Sequence, residues 1–168
     1  LDDYAFLIDS ILELLQSGWR TNDLRLAIRL ADVLLDQFED QDNGCFFFTS
    51  HDHEKLMYRH KPMSDDALPA GNGIAALSLA RLGHLVGDMR YLEAAESTLR
   101  VAMEGINKVP SAYNAMLLAL EEYLYPPQTI VLRGEEPDLS AWQARAHQNY
   151  SPRRLCYAIP DDIDDLPH

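Results

Sequence analysis

Two carboxylates and an amide stand where a polar loop turns into a long apolar helix. Asp65 and Asp66 lie in a loop that tightens at Pro69 and Gly71, and Asn72 follows at the predicted helix start. Asparagine often caps helices, because its side-chain oxygen accepts amide hydrogens that the first turn leaves unpaired. A helix start of this kind also attracts anions and hydroxyl groups. The stretch therefore predicts either a ligand site or a capped helix.

The ligand interpretation points to sugar chemistry. Conversion of a sugar uses two carboxylates about 5 to 10 Å apart, next to aromatic side chains. We expect Asp3 and Asp65 to form this pair, as acid and base or as ligands of hydroxyl groups. The residues expected to bind the ligand around them are Tyr4, Phe47, Lys61 and Asn72.

Metal and nucleotide chemistry are less well supported by the sequence. The run His51-Asp52-His53-Glu54 could chelate a metal, but polar residues are also expected at the tip of a loop. Gly134-Glu135-Glu136-Pro137 follows a β-branched run at the place of a phosphate-binding loop, and its two carboxylates would repel phosphate. We therefore expect neither a metal nor another cofactor.

Composition narrows the class of protein. The chain has 168 residues, 47% of them hydrophobic, and a net charge of -13, which argues against nucleic acid and anionic membranes as partners. No apolar run approaches the roughly 20 residues that span a bilayer. Cys45 and Cys156 are far apart in sequence, so we expect a reducing, cytoplasmic setting. The chain starts at Leu1 without a signal peptide and already in helical phase, which suggests a piece of something longer.

Hydrophobic periodicity predicts a mainly α-helical fold of stacked hairpins. The first, third and fifth predicted helices are apolar on two sides, whereas the second and fourth are amphipathic. Asp23-Leu24-Arg25 and Asp88-Met89-Arg90 begin the second and fourth helices in the same way. An inner and an outer layer explain this alternation better than a four-helix bundle, and the inner helices then begin on one rim. The predicted helices span residues 2–16, 23–39, 71–86, 90–106 and 112–125.

Three regions are predicted from this pattern. Residues 1–127 form the helical-hairpin region, with a small β-hairpin of residues 45–49 and 56–59 in its long connection. Residues 128–160 form a β-α-β unit with parallel strands, and residues 161–168 form an acidic tail. We expect the apolar flanks of the first and fifth helices to associate with the rest of a longer protein or with a second copy.

Five motifs occur in one order along the chain and together resemble a known family. They are L-D-D-Y-A-F-L-I at the start, N-G-C-F-F-F-T at 43–49, K-P-M-S-D-D-A-L-P-A-G-N-G at 61–73, G-D-M-R-Y-L-E-A-A at 87–95 and P-P-Q-T-I-V-L-R-G at 126–134. The family comprises long proteins with an N-terminal thioredoxin-like domain and an (α/α)6 toroid, and it includes the spermatogenesis-associated thioredoxin-like proteins.

The resemblance implies that the chain is a C-terminal part of such a protein, with five toroid helices present. It also implies a fold related to sugar epimerases and six-hairpin glycosidases. The family pattern D-G-A-x-P-S-G-N-S is changed here to Asp66, Ala70 and Gly73 at the second, sixth and ninth positions, so two hydroxyl groups are lost. Two functions remain open: a carbohydrate site on the rim of the inner helices, or a non-catalytic scaffold for the thioredoxin-like domain or another protein.

Overall fold

The computed structural model describes residues 1–54, 56–149, 151–164 and 166. Within these residues the fold is mainly helical, as predicted, with six α-helices, one 3-10 turn and two strands. The helices are α1 (Asp2–Ser17), α2 (Thr21–Gln37), α3 (Gly71–Val86), α4 (Met89–Lys108), α5 (Asn114–Leu124) and α6 (Asp138–His147). The strands are β1 (Gln128–Gly134) and β2 (Arg154–Pro160), and the 3-10 turn spans Pro110–Ala112.

Helix α3 is the centre of the helical region. It packs between α1 and α5 and is covered along its length by α4, so that residues 71–80 are all buried. Helix α2 packs against α1 in the same way that α4 packs against α3. The predicted alternation is confirmed in part: α3 is enclosed, and α2 and α4 each bury one face. The helices α1 and α5 were also expected to be buried on two sides, but one side of each is exposed, at Leu7 and Leu14 and at Leu118 and Leu124.

Short polar connections set the direction of the outer helices. Gly87 ends α3 in the left-handed region with φ of 72°, where a residue with a Cβ atom would be strained. Asp88 follows at once and caps α4, since its carboxylate accepts the N–H of Arg90 at 2.9 Å. The chain thereby reverses direction within two residues and α4 returns along α3.

The predicted β-hairpin in the long α2–α3 connection was wrong. Its described residues carry one isolated antiparallel bridge, between Glu39 and Phe46, in place of two paired strands. Gly44 and Cys45 both have positive φ angles, 76° and 58°, which interrupt an extended strand just before Phe46. The backbone N–H and C=O of Phe46 are then bound by a side chain instead of a neighbouring strand, as described below.

The C-terminal β-α-β unit is present as predicted. β1 pairs with β2 in parallel, with Gln128 opposite Arg154, and α6 packs on the sheet. β2 is buried and contacts α1, whereas β1 is largely exposed. Of the predicted acidic tail, residues 165, 167 and 168 lie outside the described part; Ile163 and Leu166 contact the helical core.

Two further observations concern membrane-spanning helices and the cysteines. Among the described residues, no helix is both long and apolar enough to span a bilayer. Cys45 and Cys156 are both buried and both free.

Candidate functional site

Asn72 lies in the first turn of α3 and is completely buried. Its side-chain oxygen accepts the N–H of Phe46 at 2.8 Å, and its amide nitrogen donates to the carbonyl oxygens of Phe46 and Pro62, both at 2.9 Å. A side-chain amide has two N–H donors. Both donors of Asn72 are used by the main chain of the loop, and the N-cap position of α3 belongs to Ala70.

Asp65 joins the starts of two helices. One carboxylate oxygen accepts the N–H of Ala70 at 2.9 Å, and the other accepts the N–H of Ala115 at 3.1 Å. The backbone N–H of Asp65 donates to the carbonyl oxygen of Ala112 at 2.8 Å. Its negative charge therefore lies at the N-terminal ends of α3 and α5, where the helix dipoles stabilise an anion.

Lys61 and Phe47 are part of an ion-pair cluster in the same loop. The ammonium of Lys61 lies 2.6 Å from a carboxylate oxygen of Asp40 and donates to the carbonyl of Gly44 at 2.8 Å. The hydrogen bond from Lys61 lowers the pKa of Asp40 to about 2. The Lys61 ammonium lies 4.8 Å from the centroid of the Phe47 ring, and the Arg59 guanidinium lies 4.0 Å from it. Two cations of the protein therefore already contact this ring.

The two predicted site residues on α1 differ in exposure, and their neighbour Asp2 approaches α3 instead. Asp3 is exposed, and the half-buried ring of Tyr4 packs 5.3 Å from that of Phe38. It is Asp2 that approaches α3: a Cβ atom placed on Gly71 would lie 2.0 Å from its Oδ1 atom. That oxygen is buried and has no hydrogen-bond partner within the described residues.

A second polar cluster lies deeper between the helices. Arg81 on α3 forms a bidentate pair with Glu122 on α5, at 2.8 and 2.6 Å. Its remaining nitrogen contacts Glu13 at 2.8 Å and Asp9 at 3.7 Å, both on α1. Burial raises the pKa of Asp9. The sequence reasoning missed this cluster, although a single arginine inside the apolar α3 segment was a signal that could have revealed it.

The histidine pair of the loop is not assembled into a metal centre. His51 and His53 are exposed. Across the part of the chain that the structure describes, no group of three or more histidine, cysteine, aspartate or glutamate residues is placed to hold a metal ion.

Comparison with known proteins relates the chain to much longer ones. No family model matches it. It is 28% identical to spermatogenesis-associated protein 20 of Rattus norvegicus over 165 residues, which cover 96% of this chain and 21% of that protein. The human protein of that name is also 28% identical over 165 residues. An uncharacterized protein of Caenorhabditis elegans is 31% identical over 151 residues, which cover 89% of this chain and 20% of that protein.

These similarities support the family that the motifs indicated. The chain spans about a fifth of the length of the curated relatives it matches.

Proposed function

We propose that this chain is a non-catalytic scaffold segment of a longer protein and that the motif at residues 61–73 holds the fold together. The observation that carries this proposal is the hydrogen bonding of the buried Asn72 amide. Its oxygen accepts from the main chain of Phe46, and its two N–H groups donate to the carbonyls of Phe46 and Pro62. A residue in that position fixes a loop on a helix and has no donor left for a substrate.

The other motif residues support the same function. Both carboxylate oxygens of Asp65 accept backbone N–H groups, and the Lys61 ammonium is bound to Asp40 and to a carbonyl. These contacts supply the hydrogen bonds that an irregular loop lacks when it has no neighbouring strand. The loss of two hydroxyl groups relative to the family pattern also fits a motif that has kept its structural part.

The ends of the helical array supply the surface for assembly. Leu7 and Leu14 on α1 are 44% and 46% exposed, and Leu118 and Leu124 on α5 are 55% and 59% exposed. Within the described residues, α1 and α5 lie at the two ends of the row formed by α1, α3 and α5. We assign their open flanks to the rest of the longer protein: the remaining hairpins of an (α/α)6 toroid and a thioredoxin-like domain, in a cytoplasmic setting.

A ligand screen of the intact protein tests the proposal. A thermal-shift series with monosaccharides and sugar phosphates should give no stabilisation. Asp3→Asn is the informative variant, because Asp3 is exposed, whereas Asp65→Asn would also disturb the starts of α3 and α5. Stabilisation by a sugar that disappears in Asp3→Asn would overturn the scaffold proposal.

A carbohydrate site on the rim is the second candidate. It would use Asp3 and Asp65 as the carboxylate pair, with Tyr4, Phe47, Lys61 and Asn72 around the ligand. One observation favours it: the Asp2 carboxylate beside Gly71 brings a further acid to the start of α3, and its Oδ1 atom has no hydrogen-bond donor in the described part of the molecule. The same screen, with Asp2→Asn added, decides between the two functions.

A further inference from the structure

The small C-terminal sheet has an open edge at β1, and we propose that a second copy of the protein pairs with it there, β1 against β1 in antiparallel order. A sheet of order β2-β1-β1-β2 then runs through the dimer. This surface is separate from the α1 and α5 flanks, which the scaffold function assigns to the rest of the polypeptide.

The main chain of β1 bonds to β2 at every second residue. The N–H of Gln128 donates to the carbonyl of Arg153 at 2.8 Å, and the two strands stay in register to the end of β1. Because main-chain groups point to alternate edges along a strand, the N–H and C=O groups of Thr129, Val131 and Arg133 point away from β2. Within the described residues, no other main-chain group bonds to them.

The other edge of the sheet is closed by the helical region. β2 packs against α1, and the N–H of Cys156 donates to the side-chain oxygen of Gln16 at 3.2 Å. Residues 155–159 are buried, whereas β1 is largely exposed. A further strand therefore has access to the sheet at β1 and not at β2.

β1 lacks the features that keep exposed edge strands from pairing. Natural edge strands are protected by lysines, prolines, bulges or short length. The strand Gln128–Gly134 contains no lysine or proline, its pairing with β2 has no bulge, and Arg133 is its one charged residue. Val131, at the middle of the open edge, is 51% exposed. The edge is therefore free to add a strand.

The open edge is self-complementary. A two-fold pairing centred on Val131 places this residue opposite its own copy and Thr129 opposite Arg133. The N–H and C=O groups of all three residues are then bonded in both copies, and the two valines form an apolar cross-strand pair. A pairing centred on Ile130 would instead place Arg133 opposite Pro127, which has no N–H to donate.

Charge favours antiparallel association of two copies at this edge. Each copy has a net charge of -13, so two copies repel each other wherever their carboxylates meet, but residues 126–134 contain no carboxylate. Glu135 and Glu136 follow one end of β1, and Arg153 and Arg154 lie beside its other end, where β2 begins. The two-fold pairing brings the acidic end of each copy toward the basic end of the other.

Cysteine crosslinking in the full-length protein tests the pairing and its register. Opposed Cα atoms of a hydrogen-bonded antiparallel pair are about 5.5 Å apart, within the roughly 4.4 to 6.8 Å that a disulfide spans. Val131→Cys should therefore form a disulfide between two copies on mild oxidation, which mass spectrometry identifies as residue 131 joined to residue 131. The native cysteines Cys45 and Cys156 are buried.

The matched control is Val101→Cys, since Val101 lies on α4 and is 41% exposed. This variant should form no such disulfide. If Val131→Cys gives no disulfide between copies, or if it crosslinks to another segment of its own polypeptide, a second copy does not occupy the edge and the inference is wrong.

Sedimentation velocity provides the second measurement. The full-length parent protein should sediment as a dimer at micromolar concentration. Val131→Lys should raise the dissociation constant of the dimer by at least about tenfold, because two like charges then face each other across the two-fold axis. The fold should be retained, since Val131 is half exposed, and circular dichroism checks this.

Val101→Lys is the control for added charge and should leave the dissociation constant unchanged. A monomeric parent protein, or a Val131→Lys variant as dimeric as the parent, would refute the dimer. The scaffold function is judged separately by the sugar screen, which does not depend on the oligomeric state.

Discussion

Replacing Asn72 by alanine should destabilise the protein without any ligand being involved. The change removes three hydrogen bonds and leaves the N–H and C=O of Phe46, which is fully buried, and the carbonyl of Pro62 without a partner. A buried polar group that loses its partner costs about 1 to 3 kcal/mol. Because the loop can relax and admit water to some of these groups, we expect a total of about 3 to 5 kcal/mol.

Urea unfolding followed by circular dichroism measures this loss, and the Tm should fall by about 6 to 20 °C for a domain of this size. Asn72→Asp should be at least as damaging, since it turns an oxygen toward the carbonyls of Phe46 and Pro62. The control is Asn107→Ala, at an exposed position near the end of α4, which should change stability by less than about 0.5 kcal/mol. A loss below about 1 kcal/mol in Asn72→Ala would refute the structural role of the amide.

Three further predictions concern Asp40 in the α2–α3 loop, Asp9 in the interior and Gly71 at the start of α3. The pKa of Asp40 is lowered from 3.8 to about 2, so the stabilisation by its charged form is complete above about pH 4 and is lost as the pH falls through about 2. Asp40→Asn should therefore reduce the pH dependence of the unfolding free energy between about pH 5 and pH 2. Burial raises the pKa of Asp9, so the unfolding free energy should fall as the pH rises from about 4 through the native pKa of this carboxyl. Asp9→Asn should remove this fall. If the variant is less stable than the parent protein at about pH 7, the prediction is wrong. Gly71→Ala should cost about 1 to 3 kcal/mol in urea unfolding, because the new Cβ would lie 2.0 Å from the Asp2 carboxylate, and Asp2→Ala in the same chain should restore most of the loss.

The helical framework could be predicted from the sequence because its signals are local. The 3.6-residue periodicity separates α2 and α4, with one apolar side, from the enclosed α3, and the β-branched run before Gly134 marks β1. The absence of the β-hairpin could not be predicted in this way. The main chain of Phe46 is hydrogen-bonded to the side chain of Asn72, 26 residues away in sequence, and not to a neighbouring strand. A pattern within one segment carries no information about such a distant partner.

The hydrogen-bond partners of the candidate site residues could not be predicted from the sequence. Asp65, Lys61, Phe47 and Asn72 all lie in or next to the α2–α3 loop, as their motif suggested. The residue types that bind a ligand at a helix start are the same ones that bind a loop there, because both satisfy unpaired N–H groups. Only the hydrogen-bond partners distinguish the two uses, and these are set by tertiary structure.

Helix α3 carries a polar attachment near each of its ends, and together they explain how an enclosed helix is held in register. Apolar contacts alone tolerate sliding, whereas directional bonds are satisfied at one position only. Asn72 binds the loop at the start of α3, and Arg81 binds α1 and α5 near its end. In the described structure, the hydrogen bonds of these two interior residues go to the protein itself.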